Sequence, residues 1–139
     1  MVRPDVAGRK IARASAWLDD AETLLSRPVD EFVGAAKDRD LAAFYLLLAI
    51  QESIDLAAHW VADAGWTSPD DAASTFDVLA ERQAIDRDLA AAMRLAAGLR
   101  NRIAHGYAML DYRRIHEESR AGIQALRQFL TAVAAAAGL

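Results

Sequence analysis

An all-α, antiparallel bundle of about five helices is the fold this sequence predicts, and three observations predict it. Breakers are scarce, with 3 Pro and 7 Gly among 139 residues, while alanine, leucine and arginine, all strong helix formers, recur throughout. Apolar residues repeat at spacings of three and four, the period that gathers them on one helix face. No segment alternates apolar with polar in the manner of a half-buried strand. A chain of this length can bury one core, and no repeat, linker or compositional break divides it, so residues 1–139 read as a single domain.

The first helix runs from about Asp5 to Ser26, with Ile11, Leu18, Leu24 and Leu25 as its main apolar residues. It stops ahead of Pro28, which disfavours helix in the residue preceding it. From about Lys37 to Ala64 the series Ala43, Leu47, Ile50, Ile54, Ala57, Val61 marks a central helix closed by Gly65. Ser68-Pro69-Asp70-Asp71 reads as an N-cap, a first-turn proline and first-turn acids, opening a short third helix. Asp86 can cap a fourth, in which Leu89, Met93, Ala96, Leu99 and Ile103 form the apolar stripe, ending near Gly106. Asp111 can cap the fifth, with Ile123, Leu126, Leu130, Val133 and Ala137 facing inward.

Composition removes several function classes. There is no cysteine, hence no disulfide, thiolate metal site or cysteine nucleophile, and a reducing cytoplasm is the expected compartment. Residues 1–10 carry Arg3, Asp5, Arg9 and Lys10 and lack the apolar centre of a signal peptide. The longest apolar runs, Leu41 to Ile50 and Thr131 to Leu139, fall short of the roughly 20 residues that span a bilayer, so no membrane association is expected. No Gly-rich phosphate loop, HExxH or GxSxG is present, and no carboxylate–histidine cluster has di-metal spacing, so neither metal nor cofactor is expected.

The net charge of −4 conceals an asymmetry. Residues 1–93 hold 9 Lys+Arg against 17 Asp+Glu, and residues 94–139 hold 7 against 3. A basic face on an acidic body suits an anionic partner, though a solvated surface explains the count equally well.

Chemistry concentrates in Arg100-Asn101-Arg102-Ile103-Ala104-His105-Gly106-Tyr107, where a polar, cationic run interrupts an otherwise apolar helix. At roughly 100° per residue, Leu99 and Ile103 continue the buried stripe, Asn101 and His105 share one side, and Arg100 aligns with Tyr107 two turns on. Arginine offers a permanent planar cation for phosphate oxygens, and histidine exchanges a proton near neutrality. RNA carries its nucleophile, the 2′-hydroxyl, beside the scissile phosphate, so a base and a cation suffice for cleavage to a 2′,3′-cyclic phosphate without metal. One Arg/His pair supplies half of an acid–base arrangement; a two-fold dimer that brings two helix ends into one cleft supplies both halves. Asn101 is a supporting candidate.

The string Arg100-(x4)-His105-x-Tyr107 resembles the signature of HepT-like ribonuclease toxins of the HEPN superfamily. The resemblance extends to Ala49-Ile50-Gln51-Glu52-Ser53-Ile54-Asp55-Leu56-Ala57, Gly65-Trp66-Thr67-Ser68-Pro69 and Phe76-Asp77-Val78-Leu79, in order along nearly the whole chain. Departures are confined to Ala104, where a bulkier aliphatic is common, and Gly106, which sits between His105 and Tyr107. The resemblance implies a homodimer with a composite active site built on Arg100 and His105, cleavage of RNA (tRNA or mRNA), and a toxin–antitoxin pairing. It also implies a partner, a minimal nucleotidyltransferase antitoxin of the MntA type that transfers AMP to Tyr107, placing bulk and phosphate charge beside Arg100 and His105.

Two other readings compete. A non-catalytic HEPN module could serve as the modification target of the nucleotidyltransferase, or the chain could be a substrate-binding accessory domain of such an enzyme. Arg102, Arg94, Arg113 and Arg114, with Arg120, are weak candidates for steering RNA, against salt-bridged surface positions. Glu52 and Asp55 read as a solvated face, His59 and His116 as ordinary surface residues, and Trp17, Trp60 and Trp66 as core or dimer contacts.

Overall fold

A computed structural model describes residues 2–139, the side chain of Tyr107 excepted. The chain forms six α-helices and one 3₁₀ turn, with no strand among the described residues: α1 (Pro4–Leu25), α2 (Val29–Gly34), α3 (Ala36–Asp63), α4 (Ala72–Glu81), α5 (Arg87–Gly106), the 3₁₀ turn (Tyr107–Met109) and α6 (Tyr112–Ala136). The expected all-α bundle is present, with one helix more than the sequence reading gave. The addition, α2, is a six-residue helix begun directly after Pro28, too short to show a period.

Helix α3 is the axis of the bundle and packs against each of the other five helices. Its 28 residues extend about 42 Å at 1.5 Å per residue. It alone among the described helices is long and apolar enough to span a membrane, but half of its most apolar window is buried inside the bundle, as in the core helix of a globular domain. Cross-links between helices fix their sense. Arg127 near the end of α6 reaches Asp19 at 2.8 Å, while His116 near its start meets the Arg27 carbonyl at 2.7 Å, so α1 and α6 run antiparallel. Lys10 of α1 pairs with Glu52 late in α3, and Arg27 with Asp38 near its start, so α1 and α3 do too.

The expected inward residues of α3 and α6 are buried, with Leu47 only partly so. Helix α1 differs from expectation. Its buried face is Ala7, Ala14, Leu18, Ala21 and Leu25, while Ile11 and Leu24 pack only partly against the core. Small side chains along that seam let α1 approach α3 closely. Bulk is concentrated at Phe129, fully buried, whose ring lies 5.3 Å from Phe76 and 6.4 Å from Trp60; burying such a ring contributes about 2–3 kcal/mol. Trp60 is thus a core residue, and Trp17 and Trp66 lie against the core, partly covered.

The helix ends follow their capping chemistry, with one correction. Asp86 Oδ1 accepts from the Leu89 N–H and Asp111 Oδ1 from the Arg114 N–H, as expected. Gly65 takes φ +75, where a left-handed turn closes α3. The cap of α4, however, is Asp71 rather than Ser68. Asp71 Oδ1 accepts from the Ser74 N–H at 2.8 Å and Oδ2 from its hydroxyl at 2.9 Å, two bonds to a carboxylate that hold its pKa below the usual value, so Ser68 and Pro69 stay in the preceding loop.

Candidate functional site

The C-terminal end of α5 carries the motif, and helix geometry splits its side chains between two neighbours. Arg100 is half-buried and turns toward α3, where its Nη1 donates to the Gln51 side-chain oxygen at 2.8 Å. Its Nε is buried without an acceptor among the described residues. Asn101 and His105 are exposed and lie on a common side, about 40° apart. His105 opens onto a groove of about 400 Å³ between α5, the 3₁₀ turn and the start of α6, walled by Leu99, Leu110 and Ile115 with Arg102 and Arg114 on its rim. Within one chain Arg100 and His105 project about 140° apart around the helix, so they do not converge on one point.

Tyr107 changes register. The α-helix ends at Gly106 and Tyr107 opens the 3₁₀ turn, so the alignment with Arg100 expected of an unbroken α-helix does not apply. The Tyr107 side chain, the expected modification site, lies outside the described residues. Gly106 itself has φ −118, and a Cβ built there would meet nothing within 4 Å; the turn does not depend on glycine's left-handed freedom.

The arginines expected to steer RNA fall on different surfaces, and four of them rest against a carboxylate. Arg102 Nη2 and Arg114 Nε share Glu118, at 3.1 Å and 2.6 Å, beside the His105 groove. The Arg114 hydrogen bond, reinforced by Arg102, holds the Glu118 carboxyl below its ordinary pKa. Arg94 pairs with Asp77 of α4, and Arg113 reaches Asp30 of α2 at 2.7 Å; neither arginine lines the His105 groove. Arg120 lies instead in a groove of about 910 Å³ between α1 and α6. That open trough includes neither Arg100 nor His105.

Glu52 and Asp55 do not form a freely solvated face. Lys10 Nζ lies 3.2 Å from Glu52 and 3.7 Å from Asp55, and Arg13 lies 3.3 Å from Glu52. Gln51 Nε2 donates to Asp55 Oδ1 at 3.3 Å, so a polar chain runs from α1 through α3 to Arg100. Gln51 is the residue of this network that sequence reasoning did not single out. Among the described residues no three His, Asp or Glu side chains cluster as a metal site. His116 fills a structural place, its ring 5.4 Å from Phe32 and bonded to the Arg27 carbonyl.

Comparison with known proteins adds to this geometry. No curated protein matches the chain. Among solved structures, a tri-AMPylated HEPN toxin of Shewanella oneidensis in complex with MNT antitoxin superposes with a TM-score of 0.86 at 21% identity, covering 94% of this chain and 98% of that one. A toxin–antitoxin structure with AMP-PNP gives a TM-score of 0.83 at 19% identity, over 93% of this chain and 98% of the other. A MntA-HpeT complex with one tyrosine replaced by alanine gives 0.84 at 19%, over 94% and 98%. At these identities the likeness speaks for the fold, which is that of HEPN toxins. A family model described as "Ribonuclease HepT-like" matches residues 16–133, most of the sequence and all of the motif, and the chain therefore belongs to the HepT-like ribonuclease family.

Proposed function

We propose that this protein is the toxin of a toxin–antitoxin pair, a metal-independent endoribonuclease that cleaves RNA through its own 2′-hydroxyl. The observation that carries the reading is the pairing of a half-buried Arg100, held by a neutral amide, with an exposed His105 on one helix end of a HepT-like chain. In the reaction a histidine takes the 2′-hydroxyl proton, the 2′-oxygen attacks phosphorus, and the bond to the 5′-oxygen breaks. That oxygen leaves with a proton from an acid, giving a 2′,3′-cyclic phosphate and a 5′-hydroxyl. Arg100 offsets the charge that builds on the phosphoryl oxygens. Since the two side chains diverge on one chain, the cleft is completed by a second copy: a homodimer in which each α5 end contributes. Asn101, on the His105 side, supports substrate contact, and Arg102 and Arg114 border the same groove.

Regulation follows from Tyr107. The solved relatives include an AMPylated HEPN toxin bound to MNT antitoxin and a complex with AMP-PNP. By that likeness a minimal nucleotidyltransferase is the partner: the Tyr107 phenol oxygen attacks the α-phosphorus of ATP, pyrophosphate leaves, and each AMP added brings a negative phosphate close to the cation and the histidine. The RNA substrate, tRNA or mRNA, places the activity in the cytoplasm. The divergence of Arg100 and His105 on one chain also supports a second reading, a non-catalytic module that receives the modification.

The deciding experiment treats total cellular RNA with protein expressed without the nucleotidyltransferase, in excess EDTA, beside His105→Ala and Arg100→Ala. Cyclic-phosphate ends from the wild type alone are expected. Equal inertness of all three, with Tyr107 unmodified by mass and the dimer intact, makes the module reading correct.

A further inference from the structure

Arg100 differs from the arginines around it in what holds it. Arg94, Arg102, Arg113, Arg114 and Arg127 each rest against a carboxylate. Arg100 is bonded instead to an uncharged amide, Gln51, 49 positions away on α3. The orientation of that amide is fixed from its other end, where Nε2 donates to Asp55. Turned over, it would set an NH₂ against the guanidinium and an oxygen against the carboxylate, two repulsive contacts in place of two hydrogen bonds. Asp55 and Glu52, the acids on this stretch of α3, are engaged by Lys10 and Arg13 of α1. The Lys10–Glu52 pair is largely covered, with side chains 18% and 14% exposed, so this bracing is not a loose surface contact.

We infer that Gln51 is a positioning residue for Arg100, orienting the guanidinium through a neutral acceptor so that the cation is fixed while its charge stays available to the scissile phosphate. This rests on the ribonuclease reading above. A carboxylate at position 51 would hold the guanidinium as firmly but would compete with phosphate for the same N–H edge. An apolar side chain would leave the charge free and the geometry loose. A guanidinium has five N–H donors; Arg100 spends one on Gln51 and its Nε is buried, which leaves the remaining Nη N–H groups for phosphate oxygens. Gln51 separates the acid from the cation and passes no proton.

The test compares wild type, Gln51→Ala, Gln51→Met and Gln51→Glu, all expressed without the nucleotidyltransferase. One readout is cleavage of a fluorophore-quenched mixed-sequence oligoribonucleotide; the other is the Arg100 Nε–Hε resonance, assigned with Arg100→Lys. In Gln51→Ala and in the volume-preserving Gln51→Met, kcat is expected to fall at least about tenfold with KM changed less than about threefold. The Arg100 resonance moves toward that of a mobile arginine while helix content is retained. Gln51→Glu keeps an ordered resonance yet loses cleavage at neutral pH, with partial recovery as the new carboxyl is protonated. Cleavage by Gln51→Met or Gln51→Glu within about twofold of wild type, or an unmoved Arg100 resonance in Gln51→Met, overturns the inference. If the wild type itself cuts no RNA, the ribonuclease reading fails separately, and the resonance alone decides whether Gln51 positions Arg100.

Discussion

On one side of the α5 terminus, Arg100 sits half-buried against α3 with a neutral partner; on the other, Arg102 and Arg114 stand at the surface sharing Glu118. The residue type is the same and the consequences are opposite. Arg102 and Arg114, 37% and 56% exposed, spend part of their charge on a carboxylate in high dielectric, where such pairs contribute about 0–1 kcal/mol. Arg100 loses solvent and, among the described residues, has no carboxylate within ion-pair distance, which costs desolvation and, on the ribonuclease reading, suits it to meet a phosphate. A basic count along a chain therefore says little until each cation's partner is known.

The largest expected effect breaks this comparison most directly. If the two sides differ in role, Arg100→Ala and His105→Ala each lower RNA cleavage by roughly 10²–10⁴-fold. Arg102→Ala and Arg114→Ala lower it less than about tenfold, mainly through KM and more strongly at low salt. Equal losses on both sides, measured with one substrate at two salt concentrations, would erase the distinction. Mixing sharpens it further. When both copies must contribute His105, exchange of wild type with an equal amount of His105→Ala leaves about half of the wild-type chains in intact dimers, so cleavage per wild-type chain drops to about half; no drop would mean that one His105 per cleft is enough.

The next effect concerns the frame under the His105 groove. Asp111 caps α6 directly after the motif, and Asp111→Ala should cost about 1 kcal/mol, read as a fall in Tm of a few degrees. If the cap also sets the groove wall, cleavage declines with it, whereas Asp86→Ala at the far end of α5 lowers Tm by a similar amount and leaves cleavage alone. Equal cleavage losses in the two variants would mean that global stability, not groove geometry, is being measured.

Much of this was legible in the sequence because it is local. The caps Asp86 and Asp111 act within three residues, and the motif announced itself as a polar run inside an apolar stripe. Three features were not legible. Helix α2 has too few turns to show periodicity, and is held by distant partners: Phe32 against Tyr112 and His116, and Asp30 against Arg113. The cap of α4 was expected at Ser68, whereas Asp71 makes the two bonds to Ser74. Gln51 looked like any polar residue on α3, since the group that gives it meaning is 49 positions away. The basic C-terminal third was visible as a count, yet its partial cancellation by Asp77 and Asp30, which lie outside that third, arises only when the helices pack.

Acidification offers a smaller and more selective contrast. Glu118 has a folded pKa lowered by Arg114 and Arg102, so its contribution to stability is present above the unfolded value and is lost as pH falls through the folded one. Glu118→Gln should therefore unfold slightly more easily than wild type at neutral pH, and the two curves should converge on acidification below the usual carboxylate range. Freed of their shared acid, Arg102 and Arg114 should also raise affinity for a single-stranded oligoribonucleotide modestly. An unchanged affinity would mean that these arginines do not meet RNA, and that steering belongs elsewhere on the surface.

The smallest effect bears on the hinge between the two sides. Gly106 has a negative φ and open space where a Cβ would stand, so Gly106→Ala removes freedom from the unfolded chain without a native clash and should stabilise by about 0.5 kcal/mol. Stability and function then part company in an informative way. If cleavage is unchanged, the glycine is incidental and the α5 terminus is already as rigid as catalysis requires. If cleavage falls while Tm rises, the passage from α-helix to 3₁₀ turn between His105 and Tyr107 must flex during turnover, and the fixed geometry on the Arg100 side is matched by needed motion on the His105 side. A drop in Tm would contradict the open space and show that the dimer or a bound partner occupies it.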